Sequence, residues 1–399
     1  MGMLKLWLAV AVMAGLVMPS MRLASGAQPR LPPEVDEWLR IAQLGPYAPP
    51  RINWDAVYYA ARREGKVVVY TSSSRVPALK QEFEARYPGV QFDAYHLGTA
   101  GSIDRLEREQ RAGIYNADVI HASGYPAQYH RLYLKHMIFP FVPPELVPVI
   151  PRERREPLVA QRFEARGIFY NSRVYREPPI KSLWDLTRPE WRGKLAMVDP
   201  MVDESTLDFI TTIVASALSL ARDYERVFGQ KLRLTTPNAG YELLKGILAN
   251  RPRFYRRHGD MAPIVGDPNA TDPPLGISMV FSQLRDIRDP ARGNLQFWPV
   301  TQATPFAAMS YLSLMNIAYR APHPNAAKLA VRFFFGDTRG GQGFAPFHIA
   351  GNWPVRTDVK PPDDPHWIPY EQINFKMLDY IAVWRLQAEV QNWWIANVR

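Results

Sequence analysis

Four short groups of polar residues in this chain have the types and positions to hold a small charged molecule. Ser72, Ser73 and Ser74 follow an apolar run at 67–70, and Ser123 and Gly124 follow a short strand-like stretch at 117–121. Ser205 and Thr206 stand before a helical stretch at 207–220, and Asn238 stands before another at 241–248. Hydroxyls, an amide and the free N–H groups of a helix start suit the oxygens of phosphate, phosphonate or carboxylate. Each neutral donor contributes about 0.5 to 1.5 kcal/mol net, and more towards a charged oxygen. A Ser-Ser-Ser run alone reads equally well as a solvated turn, so the weight rests on the elements around it. Catalytic patterns are missing: there is no G-x-S-x-G, H-E-x-x-H or P-loop. His121, His130 and His136 are spaced too loosely to argue a metal site.

The positioning elements are those of an α/β protein. Four consecutive apolar or aromatic residues, Val67 to Tyr70, read as a strand buried on both faces, followed by helical spacing at 77–87, a Pro88-Gly89 turn and a second apolar strand at 90–95. This is a βαβ unit with the serines at the carboxyl end of its first strand, where open α/β sheets bind their ligands. Ser102 is a candidate N-cap after a flexible 98–101 loop. Further strands are expected at 117–121, 167–171, 195–198 and 276–281, and helices at 207–220, 241–248, 325–335 and 374–398. The three tryptophans of the last helix are expected to pack on the body. Residues 251–274, with five prolines and two glycines, read as an insertion or flap.

At 399 residues, 47% hydrophobic and 22% charged, the chain suits a soluble protein of two domains. Lys5, the apolar run 6–17 and Ser25-Gly26-Ala27 read as a signal peptide over 1–27, giving a mature chain from about Gln28 in the periplasm. Its removal takes two basic residues and no acidic one, so the formal charge falls from +10 to +8. The absence of cysteine excludes disulfides and lipidation at an N-terminal cysteine. Basic patches at 152–155 and 251–258 carry no nucleic-acid reader motif, and no nucleic-acid partner is expected.

The succession KVVVYTSSS, FEARYPGVQ, LEREQRAGIYNADVI, IFYNSRVY, SLWDLTRPEWRGKLAMVDP, TTPNAGYELLKGILAN and PHPNAAKLAVRFFFGDTRGGQGFA resembles the periplasmic solute-binding proteins of ABC importers, in particular their ferric-iron-binding branch. The resemblance covers about residues 66–357. It implies a type II periplasmic binding fold, two α/β lobes each built on a mixed sheet and joined by hinge crossover strands. It places lobe one at 54–165 and 303–399, lobe two at 166–302, and an arm at 28–53. It further implies a small-molecule solute, a permease partner in the inner membrane, a monomer, no catalysis and no cofactor. The branch's iron ligands do not carry over: its first-loop histidine falls near Ser74, its second-loop acid on Ser123, and its tyrosine pair on Phe281 and Ser282. Hard ferric iron is poorly served by that set. Its anion-holding half fits Ser205, Thr206 and Asn238 better, while Asp203 and Glu204 beside them suit an ammonium group on a zwitterion. The expectation is therefore an importer component for a small anionic or zwitterionic solute. The alternatives are a ferric or iron-chelate binder, with Tyr70, Tyr125 or Tyr255 as substitute ligands, and, in other classes, an exported enzyme or a sensor subunit.

Overall fold

The computed structural model describes residues 31–398; the expected signal peptide lies outside them. Helix α1 (Pro33–Ala42) occupies the proline-rich arm. Val35, Leu39 and Ala42 are buried on one side of it, and Trp38 lies 5.5 Å from Phe139 and 5.4 Å from Tyr319, so the arm is docked on the body. Helix α2 (Trp54–Glu64) starts at Asn53, whose Oδ1 accepts from the N–H groups of Asp55 and Ala56, and ends at Gly65 in the left-handed region. Strand β1 (Lys66–Thr71), helix α3 (Lys80–Arg86) and strand β2 (Gln91–His96) form the expected parallel βαβ unit. Then follow α4 (Gly98–Arg111), β3 (Val119–Ala122), the single turn α5 (Tyr125–Ala127), β4 (Ile138–Phe139) and the long strand β5 (Ala160–Asn171).

The second half holds β6 (Leu195–Val198), α6 (Glu204–Ala215), α7 (Ala217–Phe228), α8 (Ala239–Ala249), β7 (Arg253–Tyr255), α9 (His258–Val265), β8 (Leu275–Val280) and β9 (Phe297–Pro299). The chain closes with β10 (Ala308–Ala318), α10 (Pro324–Phe335), β11 (Asn352–Pro354), β12 (Phe375–Met377) and α11 (Tyr380–Asn397). The strand order is β2-β1-β3-β10-β5-β8-β6-β7. Strands β5 and β10 run antiparallel through the middle. The later half of β10 pairs with β3, and the later half of β5 pairs with β8 and β9. Each of these two strands therefore belongs to both halves of the sheet, as crossover strands of a two-lobed α/β fold must. The first lobe gathers β1 to β4, and the second β6 to β9.

Several elements differ from expectation for local reasons. The loop expected at 98–101 is the first turn of α4, with Ser102 inside it donating its hydroxyl to the Gly98 carbonyl. The helix expected at 207–220 breaks at Ser216, whose hydroxyl bonds back to the Thr212 carbonyl. Residues 251–274 are no flap, since β7 pairs in parallel with β6 and α9 buries Met261, Ala262 and Val265. The last stretch divides into β12 and α11, with Asp379 capping the helix.

Candidate functional site at the crossover strands

On β5, Arg162, Glu164 and Arg166 stand at alternate positions and so share one face of the sheet. Their neighbours on β10 are Ser313, Tyr311 and Met309 in that order, and Asn352 of β11 lies opposite Glu164 on the other edge. Facing residues of antiparallel strands share a side, so these groups form one polar floor between the lobes. The apolar neighbours, among them Phe163, point to the other face, where Phe163 packs 4.8 Å from Tyr370.

The floor is charged and buried. Arg162 donates to Glu164 at 2.8 Å, and its guanidinium lies 3.9 Å from the centre of the Phe347 ring. Arg166 is 4% exposed and lies 3.3 Å from Asp203 at the start of α6. Burial disfavours the Arg166 cation, but Asp203, Tyr311 and Glu164 together outweigh it and raise its pKa. Burial likewise raises the Asp203 carboxyl, yet the Arg166 charge, helped by the Thr206 hydroxyl, holds it well below the usual carboxylate range. Burial and the Arg166 charge lower the pKa of His258 and keep the imidazole neutral. Arg166 donates to His258 Nε2 at 2.5 Å; in that tautomer the ring proton sits on Nδ1. Tyr311 is pushed above its ordinary value by burial and by Glu164, so its phenol stays protonated.

Six buried polar atoms in this region have no protein partner: Arg166 Nε, His258 Nδ1, Ser278 Oγ, Ser313 Oγ, Asn352 Oδ1 and Glu204 Oε2. Ser278 adjoins Arg166, whose Nη1 donates to its carbonyl at 3.3 Å, and it has a left-handed φ of 59° at a register shift between β5 and β8. Burial raises the pKa of Glu204, with the Arg131 charge opposing and the Asp104 charge reinforcing the shift. Orphaned buried groups are uncommon in folded proteins, and a cluster of both signs marks a place for a polar guest.

The residues expected from sequence divide around this floor. Ser72 Oγ accepts from the Ser123 N–H at 3.3 Å, and Ser123 Oγ donates to Glu164 at 3.2 Å, which joins both loops to the floor. Gly124 has φ 82°, and a Cβ there would stand 2.7 Å from Thr99 Cγ2, so only glycine fits. Ser73 turns inward on its own loop, its N–H donating to Thr71 Oγ1, and Ser74 is exposed. Asp203 is the N-cap of α6, accepting from the N–H and the hydroxyl of Thr206 at 2.8 and 2.6 Å. Thr206 is fully buried with both donors spent on that cap, while Ser205 beside it is half-buried.

Asn238 is not brought to this group. It caps α8 through the N–H groups of Gly240 and Tyr241, and Gly240 packs on Val214, ten residues beyond Glu204. That is about 15 Å along α6. Phe281 is a core residue, fully buried against Phe169 and over Gly167, with Ser282 opening the turn after it. Tyr70 spends its hydroxyl on Glu109, and Tyr125 packs on Tyr380. Sequence reading missed Arg162, Glu164, Arg166, His258 and Tyr311. The signal was present in the R-x-E-x-R alternation just ahead of an apolar strand.

His121 backs this floor from the first lobe, fully buried between Thr71 and Gln161. Burial, then the Arg162 charge, lowers its pKa to about 4. An unfolded histidine titrates near 6.5, so between those values the unfolded chain binds a proton that the folded chain refuses, and stability falls as pH falls through that window. By pH 5 this costs on the order of 2 kcal/mol. Urea denaturation of His121→Gln should therefore lose about that much less between pH 7 and pH 5 than the parent chain. Equal losses would show that the imidazole is hydrated.

No family model matches the chain, and no curated protein is similar to it in sequence. Solved structures are similar in fold. Iron-bound HitA from Pseudomonas aeruginosa superposes with a TM-score of 0.62 at 16% identity, over 83% of this chain and 99% of that one. The apo ferric ion-binding protein A of Pasteurella haemolytica gives 0.61 at 14%, over 84% and 98%. The substrate-binding protein of an ABC transporter from Agrobacterium tumefaciens gives 0.60 at 17%, over 84% and 94%. These neighbours are binding proteins rather than enzymes. This chain therefore has the two-lobed α/β fold seen in the type II periplasmic binding proteins, the ferric-iron-binding proteins among them, with β5 and β10 as its crossover strands.

Proposed function

We propose that the chain is the periplasmic solute-binding component of an ABC importer, which closes its lobes on a small solute bearing a carboxylate, phosphonate or phosphate group and delivers it to a membrane permease. The observation that carries this reading is the set of orphaned groups at the crossover strands. Arg166 Nε and His258 Nδ1 are donors lacking acceptors, and Asn352 Oδ1 and Glu204 Oε2 are acceptors lacking donors. An anionic group answers the first pair and an ammonium group the second, so a zwitterion serves both.

The neighbours described as iron-bound or ferric ion-binding favour a second reading, and Tyr311 opposite Glu164 offers hard oxygens. Against it stand Arg162 and Arg166, two buried guanidiniums that neutralise Glu164 and Asp203 and repel a trivalent cation. Among the described residues no three His, Cys, Asp or Glu side chains gather as a metal site.

Two measurements on the purified protein separate the readings. Titration with ferric citrate is expected to give no visible charge-transfer band. A thermal-shift screen of amino acids, aminoalkylphosphonates and simple carboxylates is expected to raise Tm for a zwitterion, by about 2.7 kcal/mol of stabilisation at a hundredfold excess over Kd. Stoichiometric colour with iron, and no response to any organic solute, would overturn the proposal.

A further inference from the structure

Helix α11 touches both lobes. Its first turns lie on the first lobe: the Tyr380 ring is 4.4 Å from Tyr125 and 4.9 Å from Tyr129, and Trp384 stacks on His130 at 4.7 Å with an interplanar angle of 11°. Its later turns lie on the second lobe: Gln387 donates to Asp208 at 2.9 Å, Glu389 accepts from Tyr241 at 2.8 Å, and Trp394 packs 5.9 Å from Phe254. From Tyr380 to Trp394 is about 21 Å of continuous helix. Both footholds adjoin the cleft, for Tyr125 is two residues after Ser123, and Asp208 is one turn after Glu204 on α6. The helix therefore does not return with 303–399 to the first lobe alone.

We infer that α11 is a strap that holds the two lobes together with no solute present and must let go at its first-lobe end for the cleft to open. A rigid helix fixed to two bodies cannot follow their separation, so one foothold has to give. The second-lobe foothold has two side-chain hydrogen bonds and the buried Val390 and Trp394. The first-lobe foothold is made by ring contacts at Tyr380 and Trp384, and Trp384 is 37% exposed. Ring contacts slide apart without stranding a polar group, which makes this the end that releases. The strap biases the equilibrium towards the closed arrangement before any solute binds, and solute entry waits on its release. The inference rests on reading the cleft as one that opens and closes, and not on what fills it.

The chain contains no cysteine, so a spin-label pair can be placed cleanly. Nitroxides on Arg108→Cys in α4 and Glu225→Cys in α7, both exposed, report the distance between lobes in the full chain with no ligand added. The expected result is one short, narrow distribution in the parent chain. Tyr380→Ala with Trp384→Ala should add a longer-distance population, the open fraction rising about tenfold or more. Identical distributions would overturn the inference. Trp384→Ala alone, at a partly exposed side chain, gives the same decision should circular dichroism show the double variant unfolded. A chain that opens in these variants yet binds nothing in the solute screen would leave the strap standing and sink the solute reading.

Discussion

Asp203→Ala is expected to destabilise the protein by about 3 to 5 kcal/mol, the largest loss among single substitutions at the cleft. The substitution removes the carboxylate that keeps a buried arginine charged, since Arg166 is 3.3 Å from it and nearly excluded from water. It also leaves the α6 start uncapped, because the Thr206 N–H and hydroxyl both end on the same carboxylate. A lost cap accounts for about 1 kcal/mol of the total, and the stranded cation for the rest. The double variant Arg166→Met with Asp203→Leu should recover most of the loss, because no buried charge is then left alone. The Asp203 pKa is depressed by folding, so its contribution is complete at neutral pH and above the unfolded value near 3.9. It is lost only as pH falls towards the folded value in strong acid. Equilibrium urea denaturation at pH 7 checks the whole set. A loss below about 1 kcal/mol for Asp203→Ala would mean that water reaches the Arg166 guanidinium.

Arg166→Lys is expected to weaken the carboxylate or phosphonate solute found in the screen by about a hundredfold while leaving the melt within a few degrees of the parent. Lysine preserves the charge beside Asp203, but it has no planar fork and no Nε–H at the position that is unpartnered in the native chain. Losing a charge-assisted bond and its geometry is worth about 2 to 3 kcal/mol, and 1.4 kcal/mol is tenfold in Kd. Calorimetry on both proteins gives the comparison directly. Unchanged affinity would move the anion away from the crossover strands, and Arg162 would be the next residue to test. Asn238→Ala belongs beside it as a contrast. That substitution is expected to cost about 1 kcal/mol of stability through the α8 cap and to leave solute affinity unchanged, because the cap lies far along α6 from Asp203.

The sequence by itself determined the lobed α/β architecture. Strand β1 announces itself through four apolar residues in a row, because a parallel strand covered on both faces tolerates nothing polar there, and Asn53 and Gly65 mark the ends of α2 through capping chemistry that is local. The loops at Ser72 and Ser123 were legible for the same reason, since a strand end followed by small hydroxyls needs no distant partner to be recognised. Tertiary structure alone decided the charged floor. Arg162, Glu164 and Arg166 look like solvated surface in sequence, and only pairing with β10, β8 and β11 buries them. His258 comes from a segment whose prolines and glycines suggested a flap, until the pairing of β7 with β6 carried α9 to the cleft. The role of Thr206 turned on Asp203, three residues away, taking both of its donors. Apolar periodicity and helix caps act within a few residues and are written in the chain, whereas the burial and pairing of charge depend on partners dozens to hundreds of residues distant, so the energetics of the site exist only once the lobes have folded against each other.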